Sequence, residues 1–364
     1  MLKKELEVLA LLRRNPYLSQ QEMAEQLNLS RPSVANLISG LIRKGKIAGR
    51  AYVLPEEGVV VSIGGANVDR KFRLSQPVQM ATSNPASASG SVGGVARNVA
   101  ENLGRLGHPV KLLSIAGNDP EWRLIEEQSA PFMSLELTKA LEGLATGTYT
   151  AVLQPDGELV LALADMAIYD SMTPEYIKRS EAVLMGASFL VADLNCPKET
   201  IGYIQRLAKA RDIPLAVIPV SEPKMDRLGP DLSGISWLIL NRGEAARYLG
   251  TPVETPDEWR AACEKLMEHG VQNIVITGGG DGVVAGNIEG IRHFAAHTVP
   301  AVVDVTGAGD AFSGGLIHAV MEKLPLKEII NAGLVNAAKT LQSELTVRST
   351  LSAENLQKEL EEIL

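Results

Sequence analysis

Aromatic residues are scarce in this chain, at 4% of 364 residues. Any core must therefore be aliphatic, and a hydrophobic content of 45% is enough to fill one. Cysteine occurs only as Cys196 and Cys263, which excludes a disulfide framework. Long apolar runs are missing at the start. Met1-Leu2-Lys3-Lys4-Glu5 brings charges before any stretch long enough for a signal or a membrane span, so a cytoplasmic protein with no membrane partner is expected. No G-x-G-x-x-G with its acidic partner occurs, which argues against a dinucleotide site. Positive charge is short over most of the chain. Residues 1–57 hold nine Lys/Arg and six Asp/Glu, a net +3, which leaves 26 basic and 37 acidic residues, a net −11, for the remainder. A basic head on an acidic body suggests two modules with different partners.

In the head, Leu2, Leu6, Leu9 and Leu12 predict one apolar helical face ending at Arg13-Arg14-Asn15-Pro16. Ser19-Gln20-Gln21-Glu22 is a capping-box signature for a second helix through Leu27. Ser30 caps a third, with Pro32 in its first turn and Val34, Leu37, Ile38, Leu41 and Ile42 expected inward. Ile47 to Leu54 reads as a small β-wing. This order resembles the winged helix-turn-helix of bacterial regulators. The resemblance implies that Arg31, Ser33 and Asn36 face a major groove while Lys44, Lys46 and Arg50 meet DNA phosphates. A module kept for packing or dimerisation is the alternative, since +3 is a small charge for a DNA binder. Pro55-Glu56-Glu57-Gly58 reads as the linker, giving expected domains of 1–57 and 58–364.

In the body, Val59 to Ile63 predicts a buried strand, with Asn67 and Asp69 just past its carboxyl end, where α/β sheets bind ligands. Asp69 suits sugar hydroxyls, although an isolated Asp is more often a turn residue. Ser83 to Ser91 reads as a polar loop. Gly93-Gly94 then allows backbone to touch a ligand, and a helix from Ala96 places Asn98 in its first turn. Lys111 to Ile115 reads as the next strand. Thr148–Leu153 and Glu158–Leu163 flank Pro155-Asp156-Gly157, a hairpin signal. A hairpin interrupting a βα pattern suits a lid, and Asp165 just beyond it can point back into the cleft. Val183–Val191, Leu215–Ile218, Trp237–Leu240 and Asn273–Thr277 read as further strands, each with a helical pattern after it. Past their carboxyl ends lie Asp193 and Asn195, then Lys224, then Asn241 and Glu244, then Thr277, Gly279 and Gly282. One cleft would collect them all.

The richest segment is Asp304-Val305-Thr306-Gly307-Ala308-Gly309-Asp310. Leu316, Ile317, Val320 and Leu324 recur after it at helical spacing, so Gly307-Ala308-Gly309 sits where a strand or loop enters a helix. Amides and the helix dipole favour an anion there. Asp310 would repel that anion. The pairing makes sense if its carboxylate takes a proton from a hydroxyl attacking a phosphoryl group held by the amides; the bland reading is an acidic N-cap on a Gly-rich turn.

Together these motifs resemble the ribokinase-like (PfkB) carbohydrate kinases over about residues 58–350. The resemblance implies an α/β fold, an α/β/α sandwich with a β-lid, behind the winged-helix head. It implies transfer of the ATP γ-phosphate to a sugar hydroxyl, with Asp310 as base and Gly307, Ala308 and Gly309 as anion hole. Asn241 and Glu244 would organise Mg²⁺ through water, and Thr277, Gly279 and Gly282 would line the nucleotide beside Asn241. Asn336 would flank adenine, Asp304 and Thr306 would hold a monovalent cation such as K⁺, and the assembly would be a homodimer. The segments bearing Ser83, Gly93 to Asn98, Tyr149, Asp165, Asp193 with Asn195, and Lys224 resemble a subgroup, the pseudouridine kinases. Val95 stands where typical ribokinases carry Lys, which argues against free ribose. The expected activity is phosphorylation of a nucleoside 5′-hydroxyl, pseudouridine first. An inosine-type nucleoside or sugar kinase is the alternative, as is a nucleoside-sensing DNA-binding regulator with a kinase fold. Intact Asp310 and Glu244 weigh against a dead kinase.

Overall fold

The computed structural model describes residues 3–16, 18–44, 46–47 and 58–362. The chain divides into two compact units, Met1–Glu56 with Glu175–Gly186, and Glu57–Pro174 with Ala187–Leu364. No helix among the described residues is long and apolar enough to cross a membrane.

The first unit contains α1 (Lys3–Arg14), α2 (Gln20–Leu27) and α3 (Arg31–Arg43). Ser19 Oγ accepts the Glu22 amide at 3.1 Å, and the Glu22 carboxylate accepts the Ser19 amide at 2.7 Å. This is the capping box read from the sequence, and a cap of this kind is worth about 1 kcal/mol. Ser30 caps α3 by accepting the Ser33 amide. Val8, Leu9, Met23, Ala24, Val34, Ile38 and Leu41 form the core. Leu6 and Ile42 differ from expectation and are exposed. For Leu6 the reason lies one residue away: α1 turns Glu5 inward, and Lys44 Nζ donates to its carboxylate at 2.6 Å. Arg31, Ser33 and Asn36 are exposed along α3. The expected wing beyond Ile47, Arg50 and most of the linker lie outside the described residues.

The second unit opens with β1 (Val60–Ile63), β2 (Asn67–Leu74), β3 (Ala86–Gly93) and α4 (Val95–Arg105). β4 (Val110–Leu113), β5 (Ile115–Gly117), α5 (Pro120–Ser129) and β6 (Lys139–Leu141) follow. Next come β7 (Thr148–Leu153) and β8 (Leu159–Asp165), then the short helices α6 (Pro174–Ile177) and α7 (Glu181–Met185), which fall in the segment counted with the first unit, and then β9 (Phe189–Asp193). The chain continues through α8 (Lys198–Arg211), β10 (Leu215–Ile218), β11 (Trp237–Asn241), α9 (Arg242–Leu249), α10 (Pro256–Glu268) and β12 (Asn273–Thr277). A hairpin, β13 (Val283–Asn287) with β14 (Gly290–Phe294), precedes α11 (Ala308–Met321), α12 (Leu326–Thr340) and α13 (Ala353–Glu361).

Eight strands form the central sheet in the order β14-β13-β12-β11-β10-β9-β1-β4. The run from β12 to β4 is parallel, and the β13–β14 hairpin adds an antiparallel edge. Parallel strands need cover on both faces, and Val60, Val61 and Ile63 are all fully buried. Residues of α4, α11 and α12 share one core with Val60, Leu112, Val191 and Ile239 on one face of the sheet. The result is an α/β/α sandwich. A second sheet, β3-β2-β7-β8, forms the lid, and Leu159, Leu161 and Leu163 leave part of it apolar and exposed.

Several elements differ from the sequence reading. The expected hairpin is half of the lid; its other half is β2 paired with β3, so Asp69 sits within a lid strand and residues 86–93 are not a loop. Ala, Ser and Gly dominate β3, and nothing but pairing with β2 makes that segment a strand. Val183 and Leu184 belong to α7, which leaves Asp193 as the last residue of β9. The strand read at Lys111–Ile115 breaks at Ser114, whose hydroxyl donates to Gly64 O. No α-helix follows β10 or β12 directly. A 3₁₀ turn over Glu222–Arg227 follows the first and the antiparallel hairpin the second.

Candidate active site

The site is built at the start of α11. Val302, Val303 and Val305 are exposed, so Gly307-Ala308-Gly309 enters the helix from a loop. Gly307 is the N-cap at φ +83°, and a Cβ there would fall 2.2 Å from Thr346 O. Only glycine follows that path without strain. The first amides of the helix have no intrahelical acceptor, and the dipole adds partial positive charge.

Asp310 lies in this first turn. Asn98 Nδ2 donates to its Oδ2 at 2.8 Å. The Asn98 amide is held in that orientation because Arg97 Nη1 donates to its Oδ1 at 2.9 Å, leaving the NH₂ for Asp310. Arg97 is buried, with Nε on Ser129 Oγ at 3.0 Å and Nη2 on the Glu101 carboxylate. A buried guanidinium needs such a partner to be tolerated. The sequence reading passed over Arg97 and Glu101 as a pair, although their i,i+4 spacing on α4 was the available signal. Burial pushes the Asp310 carboxyl up to about 7, with the charges of Asp193 and Asp69 adding to the rise against the Asn98 bond. A carboxylate tuned to that range can take a proton at neutral pH.

Asp69 approaches from β2. Asn67 Nδ2 donates to it at 2.6 Å, and its carboxylate lies so close to Gly93 that a Cβ there would meet Oδ2 at 2.2 Å. Burial pushes Asp69 up to about 6. Gly94, at φ +99°, starts α4 against Gly65 O, where a side chain would clash at 2.4 Å. Asp69, Gly93, Gly94, Asn98 and Asp310 are thus brought together. Tyr149 is the β7 partner of Asp69, while Ser83 and Asp165 stay on exposed parts of the lid. Tyr169, which the sequence reading missed, is fully buried and exchanges hydrogen bonds with the Ala66 N–H and C=O at 3.0 and 2.5 Å. It pins the segment after the lid to the loop after β1.

Farther along the same sheet edge, Asn241 and Glu244 form a reciprocal capping box at the start of α9, at 2.9 and 2.8 Å. Burial raises the Glu244 carboxyl, the Asn241 amide opposes this, and Glu222 raises it further. Glu222 packs against Gly243 and was not anticipated. The Glu244 carboxylate, with Glu222 near enough to raise it and the Asn241 carboxamide oxygen beside it, is an oxygen donor set that fits Mg²⁺ with retained waters. Thr277 pairs in register with Asn241, and Gly279 and Gly282 close the turn that follows.

Residues 59–353 match the pfkB family carbohydrate kinase model. The chain belongs to the pfkB family. Residues 1–48 match the winged helix-turn-helix DNA-binding family. An uncharacterized sugar kinase of Escherichia coli K12, YeiI, is 32% identical over 353 residues, covering 97% of each chain. A pseudouridine kinase of the same strain is 31% identical over 302 residues, covering 83% of this chain and 96% of that one. A ribokinase of Arabidopsis thaliana, solved with ribose and ATP, superposes with a TM-score of 0.75 over 85% of this chain and 99% of that one, at 20% identity. This last likeness speaks to the fold alone. The pfkB membership makes the chain a sugar or nucleoside kinase that transfers a phosphoryl group to an alcohol.

Four residues expected in the pfkB site are placed differently. Asn336 is fully buried: its Nδ2 donates to Asn102 Oδ1 and Ala311 O, each at 2.8 Å, and its Oδ1 accepts from Arg348 Nε at 3.0 Å. With both polar atoms of its side chain engaged by α4, α11 and Arg348, it has no edge left for adenine. Asp193 is likewise fully buried, and burial raises its carboxyl. It accepts the amides of Gly65, Ala96 and Asn195 at 2.9, 3.0 and 2.8 Å. It therefore positions the two glycine-rich loops and Asn195 from beneath the cleft and does not read substrate. Asp304 and Thr306 do come together, but with Lys71 of the lid between them. A resident K⁺ does not fit there, because its oxygen ligands are already taken by an ammonium.

Proposed function

We propose that this protein is an ATP-dependent kinase of a nucleoside 5′-hydroxyl, with pseudouridine as its substrate. The observation that carries the reading is the Asn98–Asp310 contact at the mouth of the Gly307 cradle. In this reading the Asp310 carboxylate accepts the proton of the attacking hydroxyl. The hydroxyl oxygen bonds to the γ-phosphorus while the bond from that phosphorus to the ADP oxygen breaks, and ADP leaves with the electron pair. The amides of Ala308 and Gly309 hold the phosphoryl oxygens, Asp69 and Asn67 hold the ribose diol, and Asn98 keeps Asp310 aimed. Mg²⁺, held through water by Asn241 and Glu244, would neutralise charge on the phosphates when bound.

The base is assigned from the mixed polarity of Asn195 and Lys224, which suits a uracil edge carrying both donors and acceptors, and from the similarity to a pseudouridine kinase at 31% identity. A panel of pseudouridine, uridine, inosine and ribose scored for ADP release tests it. Pseudouridine is expected to lead uridine and ribose in kcat/KM by at least about a hundredfold, as a site built to bond a ring N–H rejects its absence. A lead for inosine or for a free sugar would overturn the substrate and leave the kinase standing.

The head supports a second, separable reading as a DNA-binding module, favoured by the exposure of Arg31, Ser33 and Asn36 on α3. Retardation of DNA that steepens as salt falls would support it; none at low salt would remove it.

A further inference from the structure

Lys71 stands on lid strand β2, paired through its backbone with Ser89 of β3 and Ala151 of β7. Its position is therefore set by the lid. From there Nζ donates to Asp304 Oδ2 at 2.5 Å and to Thr306 Oγ1 at 3.3 Å. The other oxygen of Asp304 accepts the Thr306 amide at 2.9 Å and its hydroxyl at 2.7 Å. Thr306 directly precedes Gly307, so this ring of bonds fixes the backbone that enters the cradle. The carboxylate of the turn thus meets an ammonium on one oxygen and Thr306 on the other. A monovalent metal ion here would need the same carboxylate and hydroxyl oxygens, and two cations on one carboxylate repel each other.

We propose that Lys71 is the resident cation of the Asp304–Thr306 turn, so that lid closure itself braces the phosphate cradle and phosphoryl transfer needs no bound monovalent ion. Lys71 is a positioning residue: it acts on the cradle through Asp304 and touches no reacting atom. The proposal rests on Gly307–Asp310 being the phosphoryl-transfer cradle.

The test uses the full chain in KCl, NaCl and choline chloride at one ionic strength, read by turnover and, without substrate, by Tm. Wild type is expected to have the same turnover in all three salts, within about twofold, and the same Tm. Lys71→Met should lose turnover in choline roughly tenfold or more, in kcat more than in KM for ATP, as a misplaced cradle would. K⁺ should restore part of that loss and raise the variant's Tm above its value in choline, because the vacated oxygens now accept an ion. Lys71→Arg keeps the charge and should stay indifferent to K⁺. Wild-type turnover that rises severalfold with K⁺, or a Lys71→Met Tm that ignores K⁺, would overturn the proposal. Absence of phosphoryl transfer in every salt would instead count against the kinase reading, while the Tm comparison would still decide the role of Lys71.

Discussion

Asp310→Asn should lower turnover by at least about a hundredfold, the range for loss of a positioned general base, while ATP affinity stays within about twofold. The carboxamide keeps the size of the side chain and can still meet Asn98, but it cannot accept the hydroxyl proton. Steady-state kinetics with a nucleotide-binding titration checks both halves, and near-wild-type turnover would remove Asp310 from its role. The wild-type pH profile should show the same group. With the carboxyl raised to about 7, kcat/KM should climb as pH rises through that value and level off above it, since only the carboxylate is a base. Stability should run the other way. The folded state holds this proton where the unfolded state has released it, so the stability linked to Asp310 is fully present below about pH 4 and lost as pH rises through about 7. Asp310→Asn escapes that loss. Its Tm should exceed wild type by roughly 2–5 °C at pH 8 and match it near pH 4. A site residue that costs stability while supplying chemistry is the usual trade.

The parts of this architecture legible in the sequence were those fixed locally. Leu215–Ile218 and Asn273–Thr277 are strands at the expected bounds, since short apolar runs between polar breaks have few other uses in a parallel sheet. The capping box at Ser19 joins residues three apart and was read from that spacing; the one at Asn241 has the same spacing and was passed over. What escaped was fixed at long range. β3 has no apolar alternation and is a strand by virtue of β2. Lys71 meets Asp304 across 233 positions, and Asn98 meets Asp310 across 212. Nothing in the spacing of either pair announces the contact. Asn336 is a further case. Its motif position suited a ligand, but Asn102, 234 positions away, and Arg348, 12 positions on, converge on it and seal it. The same long-range wiring makes the site more than a row of polar residues at strand ends. Asp193 ties the loop carrying Gly65 to the first turn of α4 at Ala96, and Arg97 aims Asn98.

Lys224→Met should lower kcat/KM for pseudouridine by about a hundredfold, the upper range for losing one charge-assisted hydrogen bond in a desolvated site. Lys224 lies in the 3₁₀ turn between β10 and β11, and its Nζ donates to Asn195 Oδ1. Asn195 is itself held, its amide on Asp193 Oδ1 at 2.8 Å and its carbonyl accepting from Arg227 Nη1 at 2.5 Å. The ammonium is therefore aimed before any ligand arrives. Burial lowers its pKa, and the neighbouring Asp193 charge opposes that fall. An ammonium has three donors, and the bond to Asn195 leaves two for the carbonyl oxygens of a uracil ring. Methionine keeps the length and the apolar stem but donates nothing, so the ring would lose a bond that water cannot replace in place. Ribose has no base to lose. Its weak turnover should stay within about threefold of wild type, and the ratio of pseudouridine to ribose should collapse toward one tenth or less of its original value. The KM for ATP should not move, because this reading assigns Lys224 to the base and not to the nucleotide. If Lys224→Met lowers ribose and pseudouridine turnover equally, the lysine supports the fold of the cleft and the base is read elsewhere. If only pseudouridine suffers, the polar pair past the ends of β9 and β10 is what makes this kinase select a nucleoside over a sugar.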